Sequence, residues 1–351
     1  MKTGIELIEK LSMCFGPTSC EGEVEAAIRE ELEGYKAELF TDRMGNLTAH
    51  LAGPEGAPRI MLSAHMDEVG FMVTEIEDDG CLRVGNLGGF DHAVLTGRGL
   101  WLGDEHKRIP GVIAAKGIHQ MDAKERKKLP DMDDLYVDIG TSSREESEKL
   151  IQRGDFATFD TVFSRFGKDG AYVKGKALDD RAGCAVLIEV MRDLYRNPCD
   201  MPFDVYFAFT TCEEVGVTGA GVAAFGIKPD TAIILEATGV NDLPGVGRFS
   251  VSKQGDGGTI TMVDLTSIYD MGFVNYAMQT AEEKGLKCQI KRTITGSTDA
   301  GPIQRSLTGV RVMGLSIPTR YIHSASCVAL YSDYEETRDL VSAMLRDWKL
   351  D

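Results

Sequence analysis

Residues 203 to 216 read FDVYFAFTTCEEVG, an apolar run of strand length that closes on two adjacent glutamates, Glu213 and Glu214, and then a glycine. A carboxylate in an apolar setting protonates or finds a cation, so a positive charge is expected at this point of the fold. The same pattern recurs along the chain. RIMLSA, 59 to 64, runs into His65-Met66-Asp67-Glu68, TAIIL ends on Glu236, and GVRVMGLSIPTRY is followed by His323. Asp179 and Asp180 stand in the turn before a helical stretch at 181–196. In open α/β sheets ligands gather outside the carboxyl ends of the strands. Two histidines and several carboxylates therefore meet at one rim, a nitrogen and oxygen donor set suited to zinc, cobalt or manganese. Each residue also has an ordinary explanation: His65 as a hydrogen-bonded core histidine, Asp179 or Asp180 as a helix cap, Glu236 as a solvated strand end, His323 as a loop residue. Their arrival from four expected strands at one sheet edge argues for a metal site instead.

Neighbouring residues on a strand face opposite ways, so Glu213 and Glu214 are expected to differ in task, one binding metal and the other facing substrate. A metallohydrolase needs that division. Metal lowers the pKa of bound water to about 7, and a nearby carboxylate takes the proton and later delivers it to the leaving amine.

The elements that must position these groups read as an α/β fold. Helical spacing covers 5–14 and 20–34, the second opening on Thr18 with Glu21 three residues on, a capping box. Strands are expected at 46–52 and 59–64. From about 71 to 170 short alternating runs (FMVTEIE, CLRVG, LWLG, GVIAAK, LYVDIG) are broken by turn signals such as Asp79-Gly80 and Gly103-Asp104, with one polar helix near 143–152. Helix and strand then alternate: helices at 181–196, 217–225, 267–285 and 335–349, strands at 203–211, TAIILE, 246–253 and 308–315. This order predicts a mostly parallel sheet flanked by helices on both faces. The chain parses as one domain of residues 1–68 plus 171–351, split by an inserted β-rich, barrel-like domain at 69–170.

The totals narrow the function classes. A formal charge of -17 argues against a nucleic-acid surface. None of the eight cysteines forms a C-x-x-C pair, and several lie in apolar runs, as reduced core thiols of a cytoplasmic protein would. The N-terminus lacks the apolar stretch of a signal peptide, and no run approaches 18 apolar residues, so no membrane partner is expected.

The motifs SAHMDEVGFMV, GKALDDRAGC, TTCEEVGVTGA and PTRYIHS, in this order and spacing, resemble those of the dinuclear metallo-aminopeptidases that assemble as tetrahedral (TET) shells. This family includes glutamyl and deblocking aminopeptidases, and its members have often been labelled cellulases or endoglucanases. The resemblance spans essentially the whole chain and implies a zinc-peptidase type of fold with two divalent ions per subunit, zinc or cobalt. It implies that His65 binds one ion with Glu236, that Asp179 bridges the two, and that Glu214 and His323 bind the second. It further implies Glu213 as general base, Asp67 as the carboxylate orienting His65, and dimers that build a dodecamer, with the inserted domain serving dimerisation or as a lid. Two positions depart from the family pattern: Glu236 stands where Asp is usual, and Ser297 replaces a glycine in Gly296-Ser297-Thr298-Asp299-Ala300.

The function expected is release of N-terminal residues from short peptides. An endoglucanase-type glycoside hydrolase is the alternative that the family labels raise, but it needs two carboxylates facing each other across a sugar, which adjacent strand glutamates do not provide. A metal-dependent carboxypeptidase or deacylase would use the same ion cluster. A shell protein that had lost its chemistry would also have lost a ligand or the base, and every such position here holds a competent residue.

Overall fold

A computed structural model describes residues 2–198, 201–243 and 250–349. An eleven-stranded sheet runs in the order Glu38–Thr41, Leu47–Leu51, Asp204–Thr210, Arg59–His65, Thr231–Gly239, Arg311–Arg320, Cys327–Leu330, Tyr172–Gly175, Ser164–Phe166. Gly258–Thr261 also pairs with Arg311–Arg320, and Cys288–Ile290 pairs with Gly258–Thr261. Parallel pairing, expected for most of the sheet, is confined to the four central strands and to the short pair at Gly258–Thr261 and Cys288–Ile290. The flanks are antiparallel, so the sheet is mixed. The reason lies in composition. Arg59–His65, Asp204–Thr210 and Thr231–Gly239 are nearly continuous apolar runs buried over almost their whole length, as parallel strands covered on both faces must be. The flanking strands are short and carry no such signal.

Helix Leu178–Arg196 is buried over most of its length and packs on the strands Arg59–His65 and Thr231–Gly239. Gly4–Met13, Gly22–Leu32 and Tyr331–Arg346 pack on this helix, while Gly219–Ile227 covers Asp204–Thr210. Met271–Lys284 begins four residues later than spacing suggests, where the Asp270 carboxylate accepts the Phe273 amide as its N-cap. The polar helix expected at 143–152 is a single turn, Arg144–Ser147. The first half of the expected strand 246–253 lies outside the described residues, and the second half, 250–253, is not a strand.

A closed six-stranded barrel comprises Gly70–Ile76, Leu82–Leu87, Leu135–Asp138, Arg108–Ala115, Gly99–Gly103 and Phe156–Phe159. It has its own apolar core, including Phe71, Leu82, Leu100, Leu102, Ile113, Val137 and Phe159. Ser164–Phe166, inside the span read as inserted, belongs to the larger sheet.

The two bodies meet at Glu68, which is 2% exposed. Its Oε2 accepts from barrel Thr158 at 2.8 Å, and its Oε1 accepts from Lys176 and, at 3.4 Å, from Arg181. The cations are themselves anchored on main-chain carbonyls: Lys176 on Cys14, and Arg181 on Leu11, Gly16 and Met66. Removing one partner from such a buried group leaves the opposite charge unpaired, so Glu68→Ala is expected to cost about 3 kcal/mol or more. Urea unfolding of the variant checks this, and a midpoint equal to that of the parent chain would refute it.

Candidate metal centre and active site

His65 is the last residue of its strand and lies level with Thr210 across the parallel register. A proton on its Nδ1, given to the Asp67 main-chain carbonyl at 3.1 Å, leaves the Nε2 lone pair facing Asp179 at 3.4 Å and Glu236 at 3.5 Å. The Asp67 carboxylate lies 3.5 Å from the same Nδ1. Glu236 sits within its strand rather than at its end, sixth of nine residues, and is almost fully buried. Asp179 spans the gap: Oδ1 faces His65, and Oδ2 faces His323 Nε2 at 3.4 Å. His323 Nε2 is also 3.4 Å from Glu214. The donor atoms form two triads, His65 with Asp179 and Glu236, and Asp179 with Glu214 and His323, each lying within 4.8 Å of one another.

The two glutamates are not strand neighbours. Their strand ends at Thr210, Cys212 turns the chain through a left-handed φ of 56°, and Glu213 and Glu214 lie in the turn that follows. This turn is pinned by Asp67, whose Oδ1 accepts the Glu213 amide at 3.0 Å and whose Oδ2 accepts the Glu214 amide at 3.1 Å. The segment expected to form a capping box supplies the rest. Thr18 Oγ1 donates to Asp67 Oδ2 at 2.7 Å, and Glu21 Oε1 accepts the amides of Ser19 and Cys212, so neither side chain caps the helix Gly22–Leu32. A buried carboxylate between three donors outcompetes a local cap, and only the long-range contact reveals it. Left-handed non-glycine residues also occur at Ala177 and His323, beside the donor atoms. Strain of this kind clusters at functional sites.

Two further carboxylates complete the site. Asp180 is buried and caps its helix by accepting the Gly183 amide at 3.0 Å. Asp299, noted in the sequence only as part of a motif, is buried and accepts from Thr210 Oγ1 at 2.6 Å. Among the described residues, Glu236 Oε1, Asp180 Oδ2 and Asp299 Oδ1 are buried without a hydrogen-bond partner.

The electrostatics show what is missing. Burial, then the charge of Asp179, pushes Glu214 up to about 8. Burial, then Glu236, pushes Asp299 up to about 7 and raises Glu213 and Asp180 well above the usual carboxylate range. Against its own burial Asp179 is held low by His323 and His65, while His323, also against burial, is raised to about 9 by Asp179 and Glu214. Two imidazoles cannot balance this many carboxylates. Orphaned oxygens, a nitrogen and oxygen donor set and a surplus of negative charge fit a pair of divalent cations. Next to the triads opens a cavity of 490 Å³, lined by Asp179, Glu213, Glu214, Glu236 and His323, with Gly89 from the barrel side.

The model of the M42 glutamyl aminopeptidase family matches residues 45–340. The chain is 33% identical over 344 residues to the putative aminopeptidase FrvX of Escherichia coli, covering 97% of this chain and 94% of that protein. A TET aminopeptidase from a marine sediment archaeon, Thaumarchaeota archaeon SCGC AB-539-E09, superimposes with a TM-score of 0.95 at 33% identity, over 99% of this chain and 96% of the other. The TET1 peptidase of Pyrococcus horikoshii, described as assembling into a tetrahedron or a large octahedral shell, superimposes with a TM-score of 0.87 at 34% identity, over 98% and 99%. Agreement of the sheet, the barrel and the sequence over nearly the full length means that this chain belongs to the M42 glutamyl aminopeptidase family.

Proposed function

We propose that this chain is a dinuclear metal-dependent aminopeptidase that releases N-terminal residues from short peptides. The observation that carries the reading is the pair of triads sharing Asp179, with Glu213 beside them but in neither. His65 and Glu236 would hold one ion, zinc or cobalt, and His323 and Glu214 the other, with Asp179 shared by the two donor sets. Ions held there would supply Lewis acidity toward a carbonyl and toward water, whose pKa such ions bring to about 7. Glu213 is the general base. Its carboxylate opens on the cavity, and burial raises its proton affinity, which suits a group that takes a proton on Oε and passes it to the leaving amine. Asp67 positions both functions, fixing the Glu213 and Glu214 amides and the tautomer of His65. A glycosidase reading gives the two histidines and the shared aspartate no task.

The barrel, as a domain of residues 69–170, forms subunit contacts and roofs the cleft. Gly89 supports the second role, because a Cβ placed there would lie 3.8 Å from His323 Nδ1. By likeness to the shell-forming relatives, of which one is described as a dodecamer, dimers assemble into a dodecamer. No helix among the described residues is long and apolar enough to cross a membrane, and the seven described cysteines are free, which supports a cytoplasmic setting.

Chelation is expected to abolish peptidase activity, and zinc or cobalt to restore it. Because Asp179 serves both triads, Asp179→Ala should lose both ions together, whereas His65→Ala should lose one. Elemental analysis distinguishes these, and two ions per chain in the Asp179 variant would end the bridging assignment. Glu213→Gln keeps shape and should keep both ions while kcat falls about 10² to 10⁴-fold with KM little changed. A variant that retained more than about a tenth of the parent kcat would show that Glu213 is not the base.

A further inference from the structure

The active-site cavity does not end at His323. A second cavity, of 640 Å³, shares Gly89, Ile322 and His323 with the first, so one cleft continues past the imidazole. The junction is open at Gly89, where an added Cβ would meet nothing closer than His323 Nδ1 at 3.8 Å, an ordinary contact distance. The two parts differ in depth. The first is closed off by the buried Thr261, Tyr269 and Ser316, whereas Asp91, Arg98 and Tyr321 of the second are exposed at the surface. An aminopeptidase holds one residue before the scissile bond and lets the remainder of the chain depart. The N-terminal residue therefore belongs in the closed part and the departing peptide in the open one.

The open part is held rigidly on both sides. On the barrel side Phe90 stacks on Phe71 and meets Phe159 edge-on, and the main chain of Arg98 is fixed, its amide donating to Leu95 O at 3.0 Å and its carbonyl accepting the Ile113 amide at 2.8 Å. On the sheet side Ser324 Oγ donates to Tyr321 O at 2.7 Å, and Thr161 Oγ1, just beyond the last barrel strand, donates to Ala325 O at 2.6 Å, which ties this wall to the barrel. Arg98 is the only lysine or arginine among the described residues lining this part. Its Nε donates to Val94 O at 2.9 Å, which orients the guanidinium and leaves both terminal nitrogens without a partner among the described residues. Arg83, Arg108 and Arg144 of the same barrel domain each meet a carboxylate. Asp91, the one carboxylate lining the open part, accepts the Ala93 amide at 3.0 Å instead. A guanidinium presents its N–H groups as a planar fork that fits a carboxylate. In a chain of formal charge -17 a carboxylate on the substrate is otherwise met by repulsion, so this one cation decides whether it is accepted.

We propose that Arg98 is a specificity-determining residue that pairs with the free α-carboxylate of the departing peptide, so that peptides whose C-terminus falls in the open part of the cleft are cut in preference to their amides. The inference rests on the aminopeptidase reading and adds recognition of the far end of the substrate. Each residue of extended chain spans about 3.3–3.6 Å, so one fixed guanidinium meets the terminus of only a narrow range of lengths. The carboxylate of a longer peptide lies beyond it.

The metal-loaded enzyme is assayed with a dipeptide, a tripeptide and a hexapeptide, each as the free acid and as the C-terminal amide, by following release of the N-terminal residue. That residue is the one released fastest from aminoacyl p-nitroanilides, and alanine fills every later position. In the dipeptide or tripeptide pair kcat/KM for the acid is expected to exceed that for the amide by about tenfold or more, and in the hexapeptide pair the ratio is expected to be close to one. Arg98→Met should bring the short-peptide ratio close to one, and Arg98→Lys, which keeps the charge but not the fork, should retain part of it. Metal content and thermal unfolding are measured for each variant. The proposal is overturned by ratios close to one at both short lengths, by an acid preference that persists undiminished in the hexapeptide, or by an Arg98→Met enzyme that keeps the parent ratio. A tripeptide amide with glutamate or glutamine in second place tests the other source of a carboxylate, and an Arg98-dependent preference for glutamate without any for acid over amide equally overturns the terminal assignment. All of these results leave the aminopeptidase reading standing. Release of no N-terminal residue from any of the peptides overturns both readings together. Should Arg98→Met not fold, the length dependence of the parent enzyme and the lysine variant still decide the matter.

Discussion

Negative charge held out of water is the constraint on which this structure turns. Asp67, Asp179, Asp180, Glu236 and Asp299 are buried at one end of the sheet, with Glu213 and Glu214 at its mouth, and only two imidazoles face them. Protonation is one way to bear such a load, and burial beside other carboxylates pushes Glu214 and Asp299 in that direction. Binding divalent cations is the other. It converts mutual repulsion into ligation and makes metal affinity part of the folding free energy. The arrangement is tolerable only because the surrounding backbone cannot relax away from it.

That rigidity comes from the register of the central strands and from a few long-range hydrogen bonds. His65 and Thr210 are level in parallel strands, and Glu236 is level with Ser316, so the donor groups are set by the sheet. The glutamate turn is set differently. Asp67 takes its two amides, Thr18 braces Asp67, and Glu21 takes the amide of the strained Cys212. An N-terminal loop thus holds a turn almost two hundred residues away, a positioning layer outside the two donor triads.

Much of this was legible in the sequence, for identifiable reasons. The central strands announce themselves because strands buried on both faces are apolar throughout, and each of them leads to a chemically capable side chain. His65, Glu236, His323 and the pairs Asp179-Asp180 and Glu213-Glu214 stood out as candidates among the residues, the choice of Asp179 and Glu214 within the pairs came from the family resemblance, and the structure places His65, Asp179, Glu214, Glu236 and His323 in two donor triads. The turn at Cys212 could not, since a strand reading carries no sign that a non-glycine residue will adopt a left-handed φ. Thr18 and Glu21 match a capping box in spacing, and nothing local shows that Asp67 and Cys212 claim them instead. The short outer strands, the antiparallel Glu38–Thr41 and the parallel Cys288–Ile290 among them, are too short for their periodicity to register.

The tetrad His65-Met66-Asp67-Glu68 joins these layers. His65 and Asp67 serve the donor cluster and the glutamate turn, while the Met66 carbonyl and the Glu68 carboxylate hold Arg181, and Glu68 also takes Lys176 and barrel Thr158. Arg181 in turn lies two residues beyond Asp179, at the start of the helix that covers the central strands. Successive residues of one short segment therefore fix the donor triads, the barrel and the helix bearing Asp179, which the two triads share. A shift of the barrel relative to the sheet would strain the Thr158 and Lys176 contacts of Glu68, one residue from the group that pins both glutamates. Domain placement and ligand geometry are consequently one structural problem in this fold, solved by the side chains of His65, Asp67 and Glu68 and the main-chain carbonyls of Met66 and Asp67.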